Sequence, residues 1–331
     1  MKTRFIHLSC VLLLSVPFAS IAQTDIEPPF TLQQVGPNVW AALSNPKSER
    51  AAGANTGFVI GEDAVVVVDT SASMDPQGHF GNQPAEQLLA AIRKLTKLPI
   101  KFVVNTHYHF DHVSANAVFV KAGATVLAHP NVRRWIHSEN LNMFGADIKP
   151  QQKAFIEALL PPSITYDQAL DLYLGSRQIH VLSLPGHTGG DSVVVIPDAR
   201  IIFTGDLFWK NILPNLTDAS TLDWIDTLTV IEKNKDGWTF VPGHGGVGTI
   251  EDVGAFRQYL VTLRQLVLDA QVIGKSGEAL ADVVVKTLNS KYKSWAESAD
   301  AFNYFAKQNA VDTEAELNRK KRVPQPIKSN P

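Results

Sequence analysis

The stretch Asn105-Thr106-His107-Tyr108-His109-Phe110-Asp111-His112 constrains this chain more than any other. It gathers three imidazoles and a carboxylate directly after the apolar run Phe102-Val103-Val104, which reads as a buried strand. His107 and His109 are two apart, so an extended backbone projects them to one side. Asp111 and His112 follow where the chain must turn. Neutral imidazole and carboxylate oxygen are donors that suit zinc. A solitary loop histidine is ordinarily just solvated, but this spacing predicts a metal-binding loop at the end of a strand.

The chain has 331 residues, enough for one large domain or two small ones. Its formal net charge of −2 and the lack of a basic patch carry no signature of a nucleic-acid partner. Residues 1–22 read as a signal peptide. Lys2 and Arg4 supply a positive start, Leu8 to Phe18 is mostly apolar, and Ser20-Ile21-Ala22 resembles a cleavage site. The expectation is an exported protein, periplasmic or secreted. The apolar run is shorter than the ~20 residues that span a bilayer. No later stretch approaches that length, so no membrane span is expected in the mature chain. Cys10 is the sole cysteine and would leave with the signal, so any metal must be held by nitrogen and oxygen.

Further along, Gly57–Ile60 and Ala64–Val68 flank a Gly61-Glu62-Asp63 turn and predict a hairpin closed by Asp69. Residues 71–82 read as a loop, and 84–96 as a helix with Pro84 in its first turn. Helices are expected over 114–121, 131–144 and 151–160, and a strand over 125–128. His79 reads as solvated, His129 as structural and His137 as an exposed helix residue, while His180 has no nearby partner in sequence. Three glycine-flanked segments follow: Pro185-Gly186-His187-Thr188, Thr204-Gly205-Asp206 and Pro242-Gly243-His244-Gly245. Glycine there is what tight, side-chain-presenting turns require. Helical periodicity returns over 250–270, 278–288 and 295–317, and Arg319-Lys320-Lys321-Arg322 reads as a solvated end. The expected organisation is one domain over 23–270 with a helical C-terminal extension and tail over 271–331.

These motifs, taken in order, resemble the metallo-β-lactamase superfamily from about Asn55 to His244. The resemblance implies an αββα sandwich, an α/β fold with two mixed sheets face to face and metals at one edge. It places His107, His109 and His187 on a first zinc and Asp111, His112 and His244 on a second, with Asp206 bridging. Two Zn(2+) per chain are therefore expected, though an N/O donor set also accepts iron or manganese. Asp69 matches a strand-end aspartate that orients the metal loop. The implied chemistry is hydrolysis of an amide, ester, thioester or lactone in a small-molecule substrate, by a metal-bridging hydroxide with Asp111 and Asp206 catalytic.

β-Lactam hydrolysis is the sharpest version. Residues 210–224 are similar to a segment carrying substrate-contacting Lys and Asn in β-lactamases, which would make Lys210 a partner for a substrate carboxylate and Asn215 an oxyanion donor. The donor set itself is closer to glyoxalase II-like thioesterases and lactonases. An iron-dependent persulfide dioxygenase shares the fold but needs one iron on two histidines and an aspartate. Oligomeric state has no sequence signature.

Overall fold

Val65–Val68 are four valines in a row, none more than 2% exposed, a pattern that only a strand covered on both faces sustains. Val65 and Val67 join the helices on one side, whereas Val66 and Val68 face a second sheet on the other. Each contributes about 1.5–3 kcal/mol through burial. The computed structural model describes residues 27–75 and 78–322. The expected signal peptide, with Cys10, lies outside the described residues.

The chain enters through β1 (Phe30–Gly36), β2 (Val39–Ser44), β3 (Thr56–Ile60) and β4 (Val65–Val68), an antiparallel series in which β3 and β4 form the expected hairpin. A small β5–β6 pair (Ser73–Met74, Phe80–Gly81) lies within the segment expected as a loop. Helix α1 (Gln83–Leu95) then leads to β7 (Ile100–Val104), which adds parallel to β4. Short helices α2 (Phe110–Val113) and α3 (Asn116–Lys121) precede β8 (Thr125–Ala128). After α4 (Pro130–Trp135), α5 (Ser138–Phe144) and α6 (Pro150–Glu157), β9 (Ile164–Thr165) completes a seven-stranded sheet in the order β1-β2-β3-β4-β7-β8-β9.

The second sheet has the order β10 (Ala169–Leu174), β11 (Arg177–Ser183), β12 (Ser192–Ile196), β13 (Ile201–Trp209), β14 (Thr239–His244). Its last pair is parallel, joined by α7 (Thr221–Glu232). Three long helices follow: α8 (Ile250–Val272), α9 (Gly277–Tyr292) and α10 (Ala299–Leu317). The apolar layer between the sheets includes Val59, Val104, Ile179, Val194 and Phe203. Outside the first sheet, Leu88, Ile92 and Phe119 pack onto it. Outside the second, Ile202 and Phe240 share one core with α7 to α10, down to Ala310. This is the αββα sandwich with helices added at its C-terminal end. Among the described residues no helix is long and apolar enough to cross a membrane.

Four expectations are corrected. The helix expected over 131–144 is two helices, parted at Ile136-His137, where buried Asn140 donates to the carbonyls of Ile136 and Tyr108. His137 is only half-exposed, and its ring bonds the Leu159 carbonyl through Nε2. The helix expected from Trp295 begins at Ala299 instead, because the Ser298 side chain caps it by accepting from the Ala301 amide. The basic end is not simply solvated. Lys321 donates to the Leu216 and Ala219 carbonyls, and Arg322 pairs with the buried Glu139 carboxylate.

Candidate metal centre

Seven potential donors converge where the strand ends of the two sheets meet. One group is His107, His109, His187 and Asp206; the other is Asp111, His112 and His244. Within each group the donor atoms lie within 4.8 Å of one another. Asp206 is central to both. Its carboxylate lies 3.7 Å from His107 Nε2, 3.3 Å from His187 Nε2, 3.0 Å from His112 Nε2 and 3.4 Å from His244 Nε2. Asp111 Oδ2 lies 3.3 Å from His244 Nε2 and 3.6 Å from His112 Nε2.

Local backbone explains how these groups come so close. Asp206 sits inside β13, not on the turn expected there, and pairing with β14 is irregular on both sides of Gly205. Gly205 has φ +50°, and a Cβ on it would stand 2.4 Å from Thr106 Oγ1. A Cβ on Gly243 would fall 1.8 Å from Asp206 Oδ1, so only glycine lets β14 pass this carboxylate. The neighbouring His244 carries Trp209 stacked on its ring at 4.0 Å, and Trp209 Nε1 donates to the Asp206 carbonyl (3.0 Å).

Hydrogen bonds fix which ring nitrogens face inward. Asp69 accepts from the Thr106 amide (2.7 Å), the Thr106 hydroxyl (2.7 Å) and His112 Nδ1 (2.9 Å). The Thr106 hydroxyl, its proton spent on Asp69, accepts from His107 Nδ1 (3.1 Å). That leaves Nε2 of both His107 and His112 to face the cluster. His109 is reversed. Its Nε2 donates to Asp218 (3.3 Å), which also accepts from the Tyr108 hydroxyl (2.8 Å), and its Nδ1 faces His187 Nε2 at 2.9 Å. Asn140 holds the same loop by accepting from the Phe110 amide (2.8 Å). Asp218 and Asn140 were not singled out from the sequence. Nothing in the spacing of an aspartate 109 residues beyond His109 marks it as that histidine's partner.

The donors fit divalent metal ions on an observation independent of any motif. His107 Nε2, His112 Nε2, Asp206 Oδ1 and His244 Nε2 are buried without a hydrogen-bond partner. Leaving that many polar atoms unmet is costly unless a cation satisfies them. The two groups differ electrostatically. Burial, reinforced by nearby His112, holds His107 well below the ordinary imidazole range, and burial lowers His187 to about 3. Burial opposes charge on His244 too, but Asp206 and Asp111 overcome it and raise His244 to about 9. Burial pushes the Asp206 carboxyl up, yet His112, His244 and His107 outweigh it and hold the group well below the carboxylate range.

Of the two residues expected to meet substrate, Asn215 lines a cavity of about 620 Å³ that opens onto His109, Asp111 and Asp206. Lys210 does not. Its ammonium donates to the Val247 carbonyl (2.8 Å) and pairs with Asp252 (2.9 Å), because the chain turns after Trp209 and carries the side chain toward the start of α8. The other histidines stand apart. His79 is exposed and pairs with Asp75, His129 accepts from the Asn131 amide at the start of α4, and His180 pairs with Asp171.

The profile of the Metallo-beta-lactamase superfamily matches residues 50–244. The chain is 28% identical over 188 residues to the hydroxyacylglutathione hydrolase GloC of Haemophilus influenzae, covering 54% of this chain and 82% of that protein. It is 23% identical over 183 residues to a linear primary-alkylsulfatase of Pseudomonas sp., covering 46% of this chain and 33% of that one, so it spans only a third of that relative. Among solved structures, a metallo-beta-lactamase from Pontibacter korlensis superposes with a TM-score of 0.55 at 21% identity, covering 70% of this chain and 99% of the other.

Proposed function

This chain belongs to the metallo-beta-lactamase superfamily, and from that premise we propose that it is a dinuclear zinc hydrolase cleaving an ester, thioester, lactone or amide in a small molecule. The observation that carries the reading is the convergence of seven N/O donors, the buried Asp206 carboxylate among them, at the floor of an open cavity. His107, His109 and His187 would hold one ion, Asp111, His112 and His244 the other, and Asp206 both. Zinc bound there supplies Lewis acidity, polarising a carbonyl and making water nucleophilic at neutral pH.

The chain's own residues supply the rest. Asp111 is 18% exposed and lines the cavity, so its carboxylate can accept a proton from an attacking water. Burial raises its affinity for protons, but His112 and His244 reverse this and keep the carboxyl below its ordinary range, ionised at neutral pH. Asp69 and Asp218 hold the rings of His112 and His109 in the tautomers that binding needs. No thiol is required.

Acyl-ester, thioester and lactone cleavage is favoured over β-lactam cleavage, since the donor set is of the glyoxalase II-like kind and Lys210 is engaged elsewhere. β-Lactam hydrolysis stands as the second reading, supported by Asn215 at the cavity. The same proposal includes export directed by residues 1–22, and a hydrolase domain over 23–270 followed by a helical extension.

The test is to purify the mature chain, measure bound metals, and assay thioesters, lactones, esters and β-lactams. Two zincs per chain are expected, with turnover abolished by chelation and restored by zinc. Two bound zincs without turnover on the whole panel would overturn the reading. One iron per chain would point instead to persulfide oxidation.

A further inference from the structure

Resting on the hydrolase reading above, we propose that the substrate is an uncharged ester, thioester or lactone bearing an aliphatic chain, and that the start of α10 with the segment before it binds that chain. The cavity of about 620 Å³ is of the size that encloses a small ligand. Its floor is His109, Asp111 and Asp206. Its walls are mainly apolar, with Phe110, Met143, Trp209 and Leu213 facing Trp295 and Phe305.

Charge narrows the class. Among the described residues no lysine or arginine lines the cavity. Lys210 is held by Val247 and Asp252, Lys321 by two carbonyls and Arg322 by Glu139. The one ionisable lining group beyond the floor is Glu297, exposed and acidic. A substrate carrying a carboxylate or phosphate away from its scissile bond would bury that charge without a cation and beside an acid. An alkyl chain meets no such penalty and gains from leaving water.

The wall is also built in advance. Trp295 packs on Phe256, Tyr259 and Tyr292, and the Ser298 cap starts α10 so that Ala301 and Phe305 reach the cavity. Pre-formed apolar surface costs little ordering when a chain binds.

The experiment uses the zinc-loaded protein and p-nitrophenyl acetate, butyrate, octanoate and monosuberate, the last matching octanoate in length but ending in a carboxylate. The expected kcat/KM rises by up to about fourfold per added methylene until the wall is filled, with the suberate at least about tenfold below the octanoate. Phe305→Ala, at a 41% exposed position where folding is not at stake, should lower the octanoate-to-acetate ratio by about tenfold. Glu297→Lys should raise the suberate-to-octanoate ratio. Calorimetric binding of octanamide and butyramide gives a readout without turnover, the longer amide binding more tightly to the unmodified protein than to Phe305→Ala. A flat chain-length series, or preference for the suberate, overturns this assignment and leaves the hydrolase reading intact. Chain-length-dependent amide binding by the two-zinc protein without turnover of any ester, thioester, lactone or β-lactam supports the chain site and overturns the hydrolase reading. Neither binding nor turnover overturns the chain site.

Discussion

The floor of the cavity and its wall are built by different rules. The floor is a set of donor side chains gathered about one carboxylate, with the rings of His107, His109 and His112 held there by hydrogen bonds with Thr106, Asp218 and Asp69. The wall is apolar surface from Phe110, Trp209 and the segment Trp295–Phe305, positioned by packing against α8 and α9. Losing one atom of the floor leaves buried charges unmatched, whereas losing one side chain of the wall removes only contact area. On the proposed reading, the floor sets whether the protein reacts, and the wall sets what it reacts with.

Asp206→Ala separates the two most sharply. Removing the carboxylate shared by four imidazoles should cost both metals and lower kcat/KM by about three orders of magnitude, on the scale of stripping one partner from a buried charged cluster. Metal content by mass spectrometry and ester turnover check it; two retained zincs would contradict the bridging role. Asp218→Asn removes the negative charge from the acceptor behind His109 without touching the cavity wall. Metal affinity should fall about 10–100-fold, measured by competition with a chromophoric chelator, while chain-length preference stays unchanged.

The pH dependence of metal uptake probes the floor alone. In the metal-free fold His244 is raised to about 9, so its protonation contributes stability that is full below about 6.5 and fades as pH climbs through about 9. A metal entering beside it must displace that proton. Burial opposes charge on His112 in the same group, but Asp206, Asp111 and Asp69 likewise raise it well above its ordinary range. Apparent affinity at the Asp111–His112–His244 group should thus rise at least about tenfold per pH unit between about 7 and 9, with proton release visible in a weakly buffered indicator titration. His187, lowered to about 3, adds no such slope above neutrality. The smallest effect is at the back of the wall. Lys321→Met gives up the bonds to the Leu216 and Ala219 carbonyls and should lower stability by about 1–3 kcal/mol in urea titration, with ester turnover changed only a few-fold.

This division also decides what could be read from the sequence. The floor was legible because its chemistry is local. His107 to His112 are consecutive, and the glycines beside His187, Asp206 and His244 mark backbone that must bend or pass closely. The sheets were legible through valine runs such as Val65–Val68. The partners were not. Asp218 and Asn140 act on the metal loop from distant segments, and their local sequence is that of an ordinary loop and an ordinary helix. Lys210 shows the converse, since similarity to a substrate-binding segment could not reveal that Asp252 competes for its ammonium. The wall was least visible. Helical periodicity continues through Trp295, and only the Ser298 cap and packing against Tyr259 and Tyr292 turn that stretch toward the cavity.

Asn55, just ahead of β3, has one further consequence. Its side chain accepts from the Ser44 amide and donates to the carbonyls of Pro242 and Gly245, while its own amide bonds the Gly243 carbonyl. One residue thus clasps the two leaves of the sandwich together beside His244. Sliding of one leaf past the other would have to tear this clasp before the donor set could open. The backbone amides of Ser44 and Asn55, which donate into this clasp, should accordingly exchange hydrogen as slowly as the interior strands even in metal-free protein, the mark of a receptacle already shaped before its ions arrive.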